Sequence, residues 1–191
     1  MTTRRAIILS AGAMGLLAGC GAAPATLGTQ SAAAGLEAAL LALGPNVNPA
    51  EAARAARMAY TVTADLASEY EIVDPPLVHN TKVNIGVKKR GLCYHWARDI
   101  QSRMTHAGYT TLQFSRLVAN ADNPFRLEHA TAVVFARGDD WRNGIVLDPW
   151  RTGGTLHWDQ MRDDTKYDWK LRADVPVRKR GAGVTLARAD G

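Results

Sequence analysis

HATAVVFARGDDWRNGIVLDPW, residues 129–150, decides the fold. Two runs rich in β-branched and apolar residues, HATAVVFA and GIVLDPW, flank RGDDWRN, whose glycine and aspartates suit a chain reversal. The expectation is an antiparallel hairpin. A reversal centred near Gly138 and Asp139 would set His129 opposite Asp148, with Cβ atoms about 5 Å apart. Alternation along the first strand places His129 on the same side as Thr131, Val133 and Phe135, a side suited to packing against a helix.

Upstream, the pattern changes from strand to helix. In RGLCYHWARDI, residues 90–100, the series Cys93, Trp96, Ala97, Ile100 and Met104 recurs at spacings of three and four, and Gly108 supplies the stop. Cys93 therefore opens a helix and lies on its apolar face, while His95 points away from that face. Further upstream, Asn48-Pro49-Ala50-Glu51 reads as a helix cap, a first-turn proline and a capping-box acid, predicting a helix to about Tyr70 that VDPPL ends. VHNTKVNIGVKKRG, residues 78–91, reads as an irregular surface loop. YTTLQFSRL, residues 109–117, predicts a strand before the hairpin, and KYDWKLRAD, residues 166–174, a further one after it. Helices first and strands afterwards predict an α+β fold in which the Cys-bearing helix packs on an antiparallel sheet.

The N-terminus follows another grammar. MTTRRAIILSAGAMGLLAGC has two early arginines, an apolar run and small residues before Cys20, the pattern of an exported leader, and the run is too short to span a bilayer. Leu17-Ala18-Gly19-Cys20 resembles the lipobox of bacterial lipoproteins. That resemblance implies a leader over residues 1–19, lipid on the Cys20 thiol and attachment to the cell envelope. Gly21 in place of Asp favours the outer membrane, facing the periplasm. Residues 20–45 then read as a lipidated tether (GAAPATLGTQSAAAG) with a short helix (LEAALLALG), residues 46–175 as the folded domain, and residues 176–191 as a basic, loosely ordered tail.

Removing the leader takes away Arg4 and Arg5 and lowers the net charge from +5 to +3, a mild balance that gives no argument for nucleic acid. The partner expected is the membrane, reached through lipid, together with a protein or peptidoglycan substrate. Cys20 being consumed, Cys93 is left as a solitary thiol in an oxidising compartment, either buried and inert or kept for its reactivity. A helix start favours thiolate, and Lys88, Lys89 and Arg90 just before it add positive potential, so the thiol pKa is expected to fall.

GLCYHWARDI, EHATAVVFARGDDW and IVLDPW together resemble the three catalytic blocks of the transglutaminase-like cysteine hydrolases, which have a papain-like fold. The likeness covers residues 75–160 and keeps the order Cys, His, Asp. It implies Cys93 as nucleophile, His129 as base and Asp148 as the acid that orients the base, acting on amide bonds through a thioester without a cofactor. Papain-type enzymes place a Gln upstream of the Cys to hold the oxyanion; positions 85–90 contain none, leaving the Cys93 N–H, Asn80, Asn84 and Trp96 as candidate donors. Trp150 and Asn84 are taken as substrate-binding residues.

Three other readings stand beside this one. NlpC-type cell-wall endopeptidases also use a helix-start Cys and a strand His, but with Asp before the Cys and often His as third member, where this chain has GLCYHW and LDPW. A metal site would draw on His79, Cys93, His95, His106, His129 and His157, which lack ligand spacing, so no metal is expected. A non-catalytic lipid-anchored scaffold of the same fold is the remaining alternative.

Overall fold

The computed structural model describes residues 25–176, with side chains from Ser31 onward. The leader, Cys20 and the basic stretch 177–191 lie outside the described residues. Four helices precede an antiparallel five-stranded sheet: α1 (Ala25–Leu41), α2 (Pro49–Glu69), α3 (Pro76–Asn84) and α4 (Cys93–His106), then β1 (Leu112–Ala119), β2 (His129–Ala136), β3 (Ile145–Leu147), β4 (Trp158–Gln160) and β5 (Lys170–Leu171). The strands lie in the order β4-β3-β2-β1-β5. The protein is α+β, as the order of sequence patterns predicts. Among the described residues no helix is long and apolar enough to cross a membrane.

Helix α1 begins at Ala25, eleven residues before the expected start at Leu36, so only residues 20–24 of the anticipated tether precede it. Ala33, Leu36 and Leu40 fall on one face and are buried against the alanine-rich face of α2, where Ala52, Ala55, Ala56 and Ala59 let the two backbones approach closely. Each buried Leu there contributes about 1.5–3 kcal/mol.

The cap of α2 is Asn48, whose side chain accepts from the N–H groups of Ala50 and Glu51. Glu51 does not complete the expected capping box. Its carboxylate instead accepts four hydrogen bonds, from the N–H and hydroxyl of both Thr110 and Thr111 (2.6–2.8 Å), and the Thr111 hydroxyl receives the Asn48 N–H that the box would have claimed. Glu51 thereby ties α2 to the turn that opens β1. Burial alone would raise its pKa, but these four bonds overcome it and bring the carboxyl from 4.5 down to about 2. Its folded value being depressed, the stabilisation is present above pH 4.5 and is lost as pH falls toward 2. Glu51→Gln is expected to cost about 2–3 kcal/mol at pH 7, because the amide presents a donor to groups that need an acceptor. It should also flatten the acid limb of a urea-midpoint profile between pH 5 and 2; parallel limbs in the two proteins would contradict this role.

Two expectations on loops need correction. Residues 78–84 are helical rather than irregular, because α3 forms over Pro76–Asn84 with Pro75 as cap and Pro76 in the first turn, while 85–91 form the expected irregular stretch. The hairpin is centred one residue later than expected. Ala132 pairs with Leu147, Val133 with Val146 and Val134 with Ile145, which shifts every partner by two. A 3-10 turn at Trp141–Asn143, capped by the Asp140 side chain, lies within the expected reversal on its β3 side and moves its centre toward β3. A two-residue slip leaves faces unchanged.

The sheet buries both faces. Ala130, Ala132 and Val134 of β2 pack with Trp96, Ile100 and Met104 of α4, while Val133 and Phe135 pack with Leu117, Val146 and Trp169 on the other side. His129 and Thr131 therefore belong by alternation to the face away from α4, a correction to the expected orientation. Three alanine-sized or β-branched positions under α4 explain the choice, because small side chains allow the helix to lie close.

Candidate active site

The three residues singled out in the sequence lie at one end of the sheet, where His129 and Asp148 bond each other and the Cys93 thiol bonds the backbone flanking His129 rather than its imidazole. Cys93 is the first residue of α4, His129 the first of β2, and Asp148 follows the last of β3. Asp148 continues the β3–β4 register one residue past the last ladder pair, donating its N–H to the His157 carbonyl at 2.8 Å, and by alternation its side chain falls on the same face as His129. His129 Nε2 lies 2.7 Å from Asp148 Oδ2, so the pair closes despite the slipped register. Extrapolating the ladder sets Trp150 opposite His129 and makes Asp148 its diagonal neighbour, a separation that an imidazole and a carboxylate span easily. Thr131 donates to the Leu147 carbonyl at 2.8 Å and locks the two strands beside the pair.

The imidazole is wedged among aromatic rings. Its centroid lies 4.7 Å from Trp150, 4.7 Å from Tyr167 and 5.4 Å from Trp169. Trp150 belongs to the helix-side core and Trp169 to the opposite one, so His129 stands where the two faces meet around the strand end. Its Nε2–H donates to the carboxylate, which leaves Nδ1 as the lone-pair nitrogen. Nδ1 is buried and, among the described residues, has no hydrogen-bond partner.

Cys93 reaches this strand end from the helix side. Its thiol contacts the Glu128 carbonyl at 3.7 Å and receives the N–H groups of Ala130 and Tyr94, so the sulfur lies against the backbone on both sides of His129. The expected fall in pKa does not occur. Burial, with the Asp148 and Glu128 charges, outweighs those N–H groups and pushes the thiol up to about 11. Of the preceding cations, Arg90 pairs with Asp99 and Lys88 with Glu71, and Lys89 is exposed to solvent. The resting site thus holds a protonated thiol, 8% exposed.

The entry to α4 is built by Gly91 and His95. His95 Nδ1 accepts from the Gly91 and Leu92 N–H groups, each at 3.2 Å, and so caps the helix start. Burial, aided by Arg90 and Arg98, lowers its pKa to about 4, which keeps the acceptor nitrogen unprotonated. Gly91 has φ +117°, and a Cβ there would stand 2.3 Å from His79 Nε2; only glycine fits. His79 in turn bonds the Arg90 carbonyl at 2.8 Å.

Residues that sequence reasoning missed surround Asp148. Arg151 bonds Asp148 Oδ2 through Nε (3.1 Å) and grips Asp164 through both terminal nitrogens (3.0 and 2.8 Å). Trp169 Nε1 donates to Asp164 at 3.0 Å. The Asp148 carboxylate is therefore held from two sides, by imidazole and guanidinium. Arg151, three residues after Asp148, was within reach of the motif; Tyr167 and Trp169 lie in the run predicted as the last strand, whereas Asp164 precedes it with no pattern to announce it.

The two substrate-binding assignments change. Trp150 is buried, packs on His129 and donates its Nε1–H to Asn80 Oδ1 at 3.0 Å, so it positions the imidazole. Asn84 is exposed at the end of α3, one turn beyond Asn80, and is not brought to the site. Among the described residues no group of three His, Cys, Asp or Glu could hold a metal ion.

No family model, curated protein or solved structure matches this chain. The functional argument accordingly stands on the geometry of its own residues.

Proposed function

We propose that this chain is an envelope-anchored, transglutaminase-like thiol acyltransferase or hydrolase of papain-like fold, acting on amide bonds of a protein or peptidoglycan substrate. One observation carries the reading: the imidazole of His129 is fixed through Nε2 by Asp148, while its basic Nδ1 stays buried and unpartnered at the strand end against which the Cys93 sulfur lies. An unpaired buried nitrogen costs about 1–3 kcal/mol, and a general base needs its lone pair free.

The chemistry follows from the resting state. Because the thiol is held protonated, its proton passes to His129 Nδ1 as the sulfur attacks the carbonyl, and the imidazolium so formed is stabilised by Asp148. That proton then goes to the departing amine, leaving a thioester on Cys93. Water or a second amine resolves the thioester, giving hydrolysis or transfer. The Cys93 N–H at the helix start is one donor for the oxyanion.

A second reading, a non-catalytic module of the same fold, is favoured by the burial and raised pKa of the thiol. Purified envelope fragments incubated with the intact chain are expected to release or join amide-linked pieces, and the Cys93→Ala chain, equally folded, to leave them unchanged. Equal processing by both chains would remove Cys93 from the chemistry; no processing by either would favour the module.

A further inference from the structure

Eight large apolar side chains are exposed among the described residues, and seven of them sit in two segments at the site end of the molecule. Val73, Leu77, Val78, Ile85 and Val87 lie on or beside α3, which is fastened to the site through the Asn80–Trp150 hydrogen bond. Phe125 and Leu127 lie in the connection between β1 and β2, four and two residues before His129 respectively; Phe125 is 95% exposed and Val73 81%. Exposed Lys89 and Arg126 interleave with these apolar residues; of the acids in the same segments, Asp74, Glu71 and Asp122 pair with Lys82, Lys88 and Lys170, and Glu128 is half-buried next to His129.

The course of α1 gives this end its neighbour. Ala42 and Leu43, just past the C-terminus of α1, lie beside Asp139 and Arg142 at the turn of the β2–β3 hairpin, the end of the sheet remote from the site. Gly35 lies level with Trp158, whose strand partner Leu147 precedes Asp148. The helix therefore runs back toward the site end, and its ten residues before Gly35 add about 15 Å in that direction. Cys20 lies five residues before Ala25, and five residues span at most about 18 Å in any conformation.

We infer that the site end, through the apolar and basic residues around Val87 and Phe125, docks on the surface of an anionic phospholipid bilayer. The inference rests on the proposed lipid at Cys20 and is independent of whether Cys93 is catalytic. Apolar side chains interleaved with cations suit the headgroup boundary, where the first bury and the second meet phosphate. The short span from anchor to body holds this end, and the site with it, against the bilayer rather than out on a tether. Any substrate taken there is membrane-proximal.

The test uses the chain expressed with its own leader in a Gram-negative host, its N-terminus weighed by mass spectrometry, and returned to vesicles of phosphatidylethanolamine and phosphatidylglycerol. Nitroxide probes are attached at Phe125→Cys, Val87→Cys and, at the remote hairpin end, Arg142→Cys, each in a chain carrying Cys93→Ser. Collisions with oxygen and with a water-soluble nickel chelate are expected to give a positive depth parameter at 125 and 87 and a negative one at 142. Aqueous values at all three positions of a lipidated chain would overturn the docking alone. Probes shielded from both reagents and coupled between molecules would give the face to a second copy and overturn it equally. An N-terminus without lipid would remove the anchor, and this inference with it, while leaving the catalytic reading untouched.

Discussion

His129→Gln is expected to slow thioester formation about a thousandfold, because it removes the imidazole proposed to take the Cys93 proton. The thiol's raised pKa makes this loss larger than it would be for a pre-formed thiolate: at neutral pH almost none of the sulfur is ionised, so attack depends on transfer to the base. Glutamine offers an amide where the imidazole stood and can neither accept the proton nor fill the space among Trp150, Tyr167 and Trp169. A stability loss of about 1–3 kcal/mol accompanies the change, so rates are compared well below the unfolding transition. Single-turnover acylation with an activated ester reads the effect; a loss under tenfold would take His129 out of the base role.

Asp148→Ala is expected to produce the largest loss of stability in the molecule, about 3–5 kcal/mol. Its carboxylate accepts from His129 Nε2, from Arg151 Nε and from the Arg151 N–H, and all three donors would be left facing a small apolar side chain. Arg151 keeps Asp164, so its charge is half compensated, but its Nε has no other acceptor in reach of the described contacts. For a domain of this size the change corresponds to roughly 10 °C in Tm. Asp148→Asn separates the two functions. It preserves shape and most of the stability, yet its amide donor opposes the Nε2–H, so the imidazole loses the tautomer that leaves Nδ1 basic, and acylation falls by about 10³–10⁴. Thermal unfolding together with the single-turnover rate decides the matter: a Tm unmoved in Asp148→Ala would show the buried network to be dispensable.

How much of this was legible depended on periodicity. Strand β2 matches the predicted run residue for residue, and α4 begins at Cys93 as the three-and-four spacing required. His129 and Asp148 were brought together by an argument whose register was off by two, and the pairing survived because such a slip conserves the face. The face itself was misread: apolar character marks both sides of β2, since the sheet is covered on both, and only the small size of Ala130 and Ala132 distinguishes the side beneath a helix. The thiol's environment was misread for a different reason. A helix start and three nearby cations are visible in one dimension, whereas the burial of Cys93 and the pairing of Arg90 and Lys88 with acids on other segments depend on contacts across the chain. Arg151, Asp164 and Trp169 form a network of hydrogen bonds between residues separated in the chain, and although Trp169 lies in the predicted last strand, no local pattern encodes their pairing.

The most direct test of the central claim is intact-mass and peptide-mapping analysis of the chain quenched in acid within seconds of mixing with an activated acyl ester. The account predicts a single hydroxylamine-sensitive acyl adduct on Cys93, forming in the intact protein and nearly absent in His129→Gln. An unmodified Cys93, or an adduct that forms equally well without the imidazole, would contradict it.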